Sequence, residues 1–408
     1  MALFVQKYGG TSVADIQRIT HVAERVLKTY KQGHDVVVVL SAMAGDTDKL
    51  LDMAREAATW RSAKRERDAL VSTGEQKTVA LLAMVLASMG YKACSLLGFQ
   101  AGIQTDGDHG NARIMSIDTR RIEALLKERN IVVVAGFQGI NPEGDITTLG
   151  RGGSDTSAVA IASALNADMC EIYTDVNGIY TADPNICRRA KKLSSISYDE
   201  MLNMSSLGAK ILQIRSVAFA KKYNVPVHVR SSFSEEEGTM VVSESTNPEM
   251  EKLSVSAITH SRDEVRITLE GVPDEPGMAG KIFSELADKS ISVDMIIQNT
   301  RAGEATDLTF TVSTENFDQA LEMGKKVVRE INAKDIFYDK NIAKVSVIGI
   351  GMKENSGVAA NVFNALAKEN INILMISTSE IRISCVIEEK YVELAVRILH
   401  SAFDLDEE

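Results

Sequence analysis

Cysteine is scarce in this chain. Cys94, Cys170, Cys187 and Cys385 are scattered through 408 residues and form no Cys-x-x-Cys pair. They read as buried thiols in a reducing compartment. Long apolar runs are also missing. None approaches the roughly 18 residues of a membrane span, and the start, Met1 to Tyr8, has no signal-peptide pattern. The expected location is the cytoplasm. Excess positive charge is absent too. A net charge of −11 argues against nucleic acid or an anionic membrane surface as the main partner, although a local basic pocket can still hold an anion. Finally, there is no Gly-x-x-x-x-Gly-Lys-Ser/Thr and no Gly-x-Gly-x-x-Gly. A P-loop NTPase, a protein kinase and a dinucleotide Rossmann site are therefore poorly supported.

What is present is ordinary globular composition, 45% hydrophobic and 25% charged, in a length suited to two or three domains. The chain is organised around Leu149 to Leu165. Gly150, Gly152 and Gly153 surround Arg151, Ser154-Asp155-Thr156-Ser157 follows, and a smooth apolar helix pattern comes next. Glycines let backbone N–H groups approach an anion closely. Ser154 is expected to cap the helix, whose N-terminus favours negative charge. Arg151 offers a forked donor for phosphate or carboxylate. Asp155 is out of place in a purely anion-binding loop. The plainer alternative is a glycine turn into a capped helix with a solvated Asp and Arg.

Four other stretches share this half. Leu3 to Gln6 reads as a strand running into Lys7-Tyr8-Gly9-Gly10-Thr11-Ser12 and a helix, a geometry that holds phosphate. Val36 to Leu40 is a core strand ending in Ser41-Ala42-Met43-Ala44-Gly45, with Ser41 and Thr47 as candidate hydroxyl ligands. Thr47 could equally cap the helix beginning near Asp48. Ser72-Thr73-Gly74-Glu75 fits a capping box, a role that would explain Glu75 entirely; the alternative is a carboxylate for a substrate ammonium. Cys170 to Thr174 is a strand ending in a loop of turn formers, Asp175 to Pro184, in which Tyr180 could border a nucleotide and the acids approach Mg²⁺. That loop could also be an ordinary hairpin. His109 reads as a loop residue in the polar stretch Gln104 to Asn111. Tyr198 to Tyr223 reads as helical, with Lys210 at a nucleotide or simply solvated.

Strands alternating with helices predict an α/β domain with a mainly parallel sheet covered on both faces. Ser243 to Glu249 has linker composition. Beyond it lies an internal repeat. At an offset of 80, Gly271/Gly351, Gly277/Gly357, Ala279/Ala359, Phe283/Phe363, Leu286/Leu366, Ala287/Ala367, Ile291/Ile371, Met295/Met375 and Ile296/Ile376 are identical. Each copy reads as βαββαβ, the ferredoxin-like arrangement. Two small copies suggest pairing across sheets or helices, or a purely structural dimerisation module.

Together, the Lys7–Ser12, Ser41–Gly45, Ser72–Glu75, Gly150–Thr156 and Thr174–Pro184 motifs closely resemble the aspartokinase family across essentially the whole chain. The repeat looks like that family's two ACT domains. The resemblance implies an amino-acid-kinase domain over 1–245, a linker and start of the regulatory region over 246–262, and ACT domains over 263–338 and 339–408. It implies transfer of the ATP γ-phosphoryl group to the side-chain carboxylate of L-aspartate, the entry step to lysine, threonine and methionine synthesis. Lys7, Tyr8, Gly9, Gly10 and Ser41 would hold ATP phosphates, and Thr174, Asp175, Tyr180, Asp183 and Lys210 would surround the nucleotide. Asp155 would organise the transferring group and its metal. Thr47, Glu75, Arg151 and Ser154 would hold aspartate. Mg²⁺ would be held mainly through the phosphates.

One position departs from the family. It commonly has Arg after the Asp-Pro of the nucleotide loop, where this chain has Asn185; Arg188 lies a helical turn later. Lysine and threonine are the implied effectors. Their contacts would be Asp274, Pro276, Gly277, Met278, Ala279, Ser292, Asp294 and Gln298 in the first copy, and Val358, Ala359, Asn372, Ile373, Ser379 and Glu380 in the second. A homo-oligomer through the ACT domains is expected, with a shorter regulatory chain as an open question. Two alternatives remain: an amino-acid kinase for another carboxylate, and a non-catalytic amino-acid sensor.

Overall fold

The computed structural model describes residues 1–57, 63–209, 211–243, 255–289, 291–299, 305–349, 352 and 356–406. The chain forms two compact units. The first comprises Met1–Tyr180 and Lys192–Lys252, and the second comprises Thr181–Lys191 and Leu253–Glu408.

The first unit is built on an eight-stranded sheet. Its order is Ser195–Ser197, Thr239–Val242, Val227–Ser231, Met169–Thr174, Leu3–Tyr8, Asp35–Leu40, Ile131–Ala135, Ala93–Leu96. Every pairing is parallel except that of Val227–Ser231 with Thr239–Val242. The β-branched runs Val36–Val39 and Ile131–Val134 are buried on both faces, as a helix-covered parallel sheet requires. Leu3–Tyr8 has Asp35–Leu40 on one side and Met169–Thr174 on the other. Chain order reverses there, and the crevice beyond the carboxyl ends of such strands is where α/β sheets bind ligands.

A helical stretch over Lys64–Ser88 reaches a mean hydropathy of 1.2 in its most apolar 18-residue window, enough by length and composition for a span. That qualifies the expectation drawn from apolar runs alone. Its residues Val79, Leu82 and Leu86 belong to the core cluster that includes Val36, Val38 and Val133.

Two further details differ from expectation. The polar stretch Gln104 to Asn111 opens with a strand, Ile103–Thr105, in a second sheet with Ile114–Ile117, Gln138–Ile140 and Ile146–Thr148. The segment expected to be one helix is two, Tyr198–Ser206 and Ile214–Tyr223, separated around Gly208 at φ +110°.

The second unit carries the repeat as two antiparallel four-stranded sheets. The first copy is complete within Val265–Asp339: strand Val265–Val272, helix Met278–Ala287, strands Val293–Asn299 and Thr306–Val312, helix Phe317–Glu330, strand Asp335–Asp339. The second runs Ile342–Gly349, Ser356–Lys368, Met375–Thr378, Arg382–Glu388, Val392–Ala402. Its remaining strand precedes both copies: Val255–Ser261 pairs antiparallel with Ile342–Gly349. Part of the stretch read as linker and start of the regulatory region therefore supplies a strand. Its Val-Ser-Ala-Ile-Thr-His-Ser alternation is strand-like, but the paired residues of its partner lie 83 to 94 positions away in sequence.

Candidate active site

The site forms at the carboxyl edge of the large sheet. Lys7 is the penultimate residue of Leu3–Tyr8, and its Nζ lies 2.5 Å from Asp155 Oδ1. Both side chains are largely buried. The buried Oδ1 thus has the Lys7 ammonium as its partner. A Cβ built on Gly9 would stand 3.6 Å from the Lys7 ammonium, and one on Gly10 would press to 2.9 Å from the Ala42 carbonyl oxygen. Small residues there leave the Lys7 head accessible and let two sheet-edge loops meet. The Ser41 N–H donates to the Tyr8 carbonyl at 3.2 Å, continuing the ladder past the strand ends.

Asp155 reaches this point from the helix Gly153–Ala164, whose residues from Gly153 to Ala162 are all buried. The cap differs from expectation. Gly152, at φ +70°, is the N-cap, and Ser154 lies buried inside the first turn. A side chain at Gly152 would collide with Gln213, whose Cγ stands 1.7 Å from an added Cβ. Leaving the cap without a side chain exposes the first amides of a buried helix, a favourable seat for negative charge. Arg151 is exposed on the loop.

Glu75 also departs from its plain reading. Ser72 makes no side-chain cap; its hydroxyl donates to the Ala69 carbonyl, because Lys64–Val71 runs almost directly into Thr73–Ser88. Glu75 instead accepts from the Ala42 N–H through Oε1 at 3.0 Å, and Oε2 is buried with no partner. Burial pushes its pKa up to about 7, offset in part by the Ala42 N–H and its own backbone amide, with the nearby Asp46 charge adding to the rise. A lone buried carboxylate of this kind is a receptor for a cation. Thr47 is half-buried in the first turn of Asp46–Ala57, inside the helix rather than capping it.

Other expected contacts separate. Tyr8 is fully buried and stacks on Tyr173, ring centroids 4.6 Å apart and interplanar angle 5°. Its ring belongs to the core and cannot face ATP. Thr174 is half-buried and Asp175 exposed, the Thr174 hydroxyl donating to Asp175 at 3.2 Å. Tyr180 is half-buried and forms an isolated antiparallel bridge with Lys192, across the segment Thr181–Lys191. Asp183 belongs to the second unit, where it accepts from the Asn185 N–H at 2.9 Å and its side-chain amide at 3.0 Å. Asn185 is thus a turn residue, and Arg188 is exposed. Lys210 lies outside the described residues.

Three supporting residues escaped the sequence reading. Asp68, fully buried, accepts from the Gly110 N–H, the Thr148 N–H and the Thr148 hydroxyl, and lies 3.1 Å from His109 Nδ1. His109 is therefore more than a loop residue. Arg215 donates to the carbonyls of Leu149 and Ala112 at 2.5 and 2.8 Å, and Gln213 covers Gly152. All three brace the glycine loop. Asp68 sits in the run Lys-Arg-Glu-Arg-Asp, where Lys64, Arg65 and Glu66 are exposed and nothing in the sequence marks it out.

In the second unit the expected effector residues are mostly surface groups. Asp274, Pro276, Gly277, Ala279, Ser292, Asp294, Gln298, Asn372, Ser379 and Glu380 are exposed, and Met278, Val358, Ala359 and Ile373 half-buried. Gly277, at φ +96°, caps the helix Met278–Ala287. Glu264 and Lys344, at the repeat offset of 80, pair with each other in the interior at 2.5 Å, and Lys344 also contacts Asp294. An ammonium thus already meets the Asp294 carboxylate.

The Amino acid kinase family matches residues 2–231, and ACT domains match 265–322 and 345–403. An aspartate kinase of Pseudomonas putida is 53% identical over 100% of this chain and 98% of its own. Escherichia coli aspartokinase III, solved with aspartate and ADP in its R-state, aligns with 98% of this chain and 100% of its own at TM-score 0.82 and 28% identity. The same enzyme with lysine and aspartate, in its T-state, aligns at TM-score 0.75 over 98% and 99%. The chain belongs to the aspartokinase family, ATP-dependent carboxyl kinases with an amino-acid-kinase domain followed by two ACT domains.

Proposed function

We propose that the chain transfers the γ-phosphoryl group of ATP to the side-chain carboxylate of L-aspartate, giving 4-phospho-L-aspartate for lysine, threonine and methionine synthesis. The observation that carries this reading is the buried Glu75 Oε2 with no partner, together with the buried Lys7–Asp155 ion pair. Glu75 suits the substrate ammonium, which would restore its ionised form. Arg151 suits the α-carboxylate, with Ser154 in the same motif and Thr47 after the Ser41–Gly45 motif. Lys7, the Gly9–Gly10 turn, Ser41 and the helix amides behind Gly152 suit the phosphates. Thr174, Asp175 and Tyr180 suit the nucleotide, as proposals that rest on the motif.

The attacking carboxylate has a pKa of about 3.9 and is ionised at neutral pH, so no general base is required. Catalysis then rests on positioning and charge stabilisation. Lys7 offsets charge on the transferring group, and Asp155 holds Lys7 in place. Asp155 also offers a carboxylate of the kind a hard cation takes, with Lys7 already on one of its oxygens. Mg²⁺ there would neutralise phosphate charge.

Lysine binding by a relative supports an effector role for the ACT domains. Lysine and threonine would act by differential binding to two states, through the exposed residues from Asp274 to Gln298 and from Val358 to Glu380. The exposed Ile296 and Ile376, equivalent in the repeat, support self-association through this region. The test is ATP-dependent acyl-phosphate formation with L-aspartate, trapped as the hydroxamate, with and without lysine plus threonine. Product only with aspartate, lost when both effectors are added, is expected. Turnover with another amino acid alone would overturn the substrate, and indifference to both effectors would overturn the regulation.

A further inference from the structure

Away from the kinase site, one thiol, one imidazole and one carboxylate converge in the second unit. Cys187, His400 and Asp406 each offer a ligand atom, and these atoms lie within 4.8 Å of one another. They come from separate stretches. Cys187 belongs to the inserted segment Thr181–Lys191, His400 to the last turn of Val392–Ala402, and Asp406 to the residues that follow. His400 is fully buried and Cys187 nearly so.

The geometry around His400 is unusual for a plain hydrogen-bonded histidine. Its Nδ1 lies 3.4 Å from Cys187 Sγ and 2.9 Å from Asp406 Oδ1. A ring nitrogen has one in-plane direction for a proton or a cation, and a single proton serves one of these two partners well. A divalent cation serves both. With metal–nitrogen near 2.0 Å and metal–sulfur near 2.3 Å, tetrahedral coordination separates the nitrogen and sulfur by about 3.5 Å. The observed separation is 3.4 Å, while the 2.9 Å between Nδ1 and Asp406 Oδ1 would open to about 3.3 Å around the ion. The other ring nitrogen, Nε2, lies 2.8 Å from the Thr181 hydroxyl oxygen, which also accepts from the Lys191 N–H and can donate to the Leu405 carbonyl at 3.4 Å. An Nε2–H donated to Thr181 leaves Nδ1 bare toward the thiol and carboxylate. Imidazoles that bind metals are commonly oriented in this way. Arg189 approaches the other carboxylate oxygen of Asp406 at 3.8 Å, leaving Oδ1 for the ion.

We propose that Cys187, His400 through Nδ1, and Asp406 form a binding site for a borderline divalent cation of the Zn²⁺ type. The thiol and imidazole select such an ion over Mg²⁺. The fourth position would take water, since the Asp406 side chain is 28% exposed. Binding converts the Cys187 thiol to a metal thiolate and releases its proton to solvent, so affinity rises with pH. The ion would staple the segment that follows Tyr180 to the end of the last helix.

The full chain, reduced and stripped with chelator, is titrated with Zn²⁺ and, as a spectroscopic stand-in, Co²⁺, without nucleotide. One ion per chain, a thiolate-to-cobalt charge-transfer band and a raised thermal midpoint are expected. Cys187→Ser should abolish the band, Asp406→Asn should weaken binding by roughly tenfold or more, and Cys94→Ser should change neither. Should Cys187→Ser fail to fold, the exposed-side variant Asp406→Asn decides alone. No stoichiometric binding, a band that survives Cys187→Ser, or an affinity untouched by Asp406→Asn would overturn the site.

Discussion

The kinase site and the proposed effector residues are built on opposite plans. The first is interior: Glu75, Asp155 and Ser154 are buried, and Glu75 Oε2 lacks a hydrogen-bond donor before any ligand arrives. The second is a surface: Asp274, Ser292, Asp294, Gln298 and Glu380 stand in solvent. Polar groups held unsatisfied cost stability. Catalysis returns that cost, because a site already shaped for charge does not reorganise during the reaction. A regulatory surface has no such need; it must gain contacts in one state and lose them in another.

If that contrast is right, substitutions in the interior should be severe and those on the surface mild. The largest effect is expected at the Lys7–Asp155 pair. Asp155→Asn and Lys7→Met should each lower kcat by roughly 10²–10³. A loss under tenfold in steady-state assays, with the fold intact by circular dichroism, would remove the pair from the chemistry.

Glu75→Gln should lower kcat/KM for aspartate by roughly tenfold to a hundredfold, the size of a lost charge-assisted hydrogen bond. It should also act on stability in the opposite direction. The carboxyl has a pKa of about 7 in the folded chain against about 4.5 for a solvated glutamate, so the folded state holds its proton more tightly. Folding is therefore penalised increasingly as pH rises from about 4.5 to about 7, by on the order of 3 kcal/mol at most above that range. Glu75→Gln removes the penalty. Its thermal midpoint should exceed that of the parent at pH 8, with the difference vanishing near pH 4.5. By the same protonation, kcat/KM of the parent should fall below about pH 7. A gap in midpoint that is independent of pH would sink this account of Glu75.

Gly152→Ala comes next. Its φ of +70° and the contact with Gln213 both oppose a side chain. A loss of about 1–2 kcal/mol is expected from the backbone alone. Gln213→Ala in the same chain should recover only the steric part, as measured by urea unfolding. The smallest effect is reserved for the surface. Asp294→Ala should move the lysine concentration for half-inhibition by a few-fold, within the usual range of a coupling energy. A shift as large as the Glu75 effect would erase the contrast.

Much of this was legible in the chain. Valine runs announced the central strands because a strand buried on both faces needs no alternation. The offset of 80 announced the repeat, and the glycine motifs brought Lys7 near Asp155. What stayed hidden was non-local. Ser72 and Glu75 match a capping box perfectly in sequence, yet the preceding helix leaves no cap to fill, and Glu75 turns to Ala42. Tyr8 sits in a ligand motif, but strand alternation points its ring into the core against Tyr173. Asp68 has its partners 41 to 80 residues away. Val255–Ser261 completes a sheet whose other strands come after an entire intervening domain.

Thr181–Lys191 has a consequence for anyone who treats this protein as modular. Written along the sequence, these residues lie deep inside the catalytic half. By packing they belong to the regulatory unit, where Ala182, Cys187 and Ala190 are buried and the Ile258 N–H donates to the Thr181 carbonyl. A catalytic half severed at the linker would carry a ribbon of orphaned interior into water. A chimera that exchanges regulatory halves between relatives would have to exchange this ribbon as well, at two further crossover points. The seam between the parts is therefore not a single place on the chain, and recombination would respect it only by cutting three times.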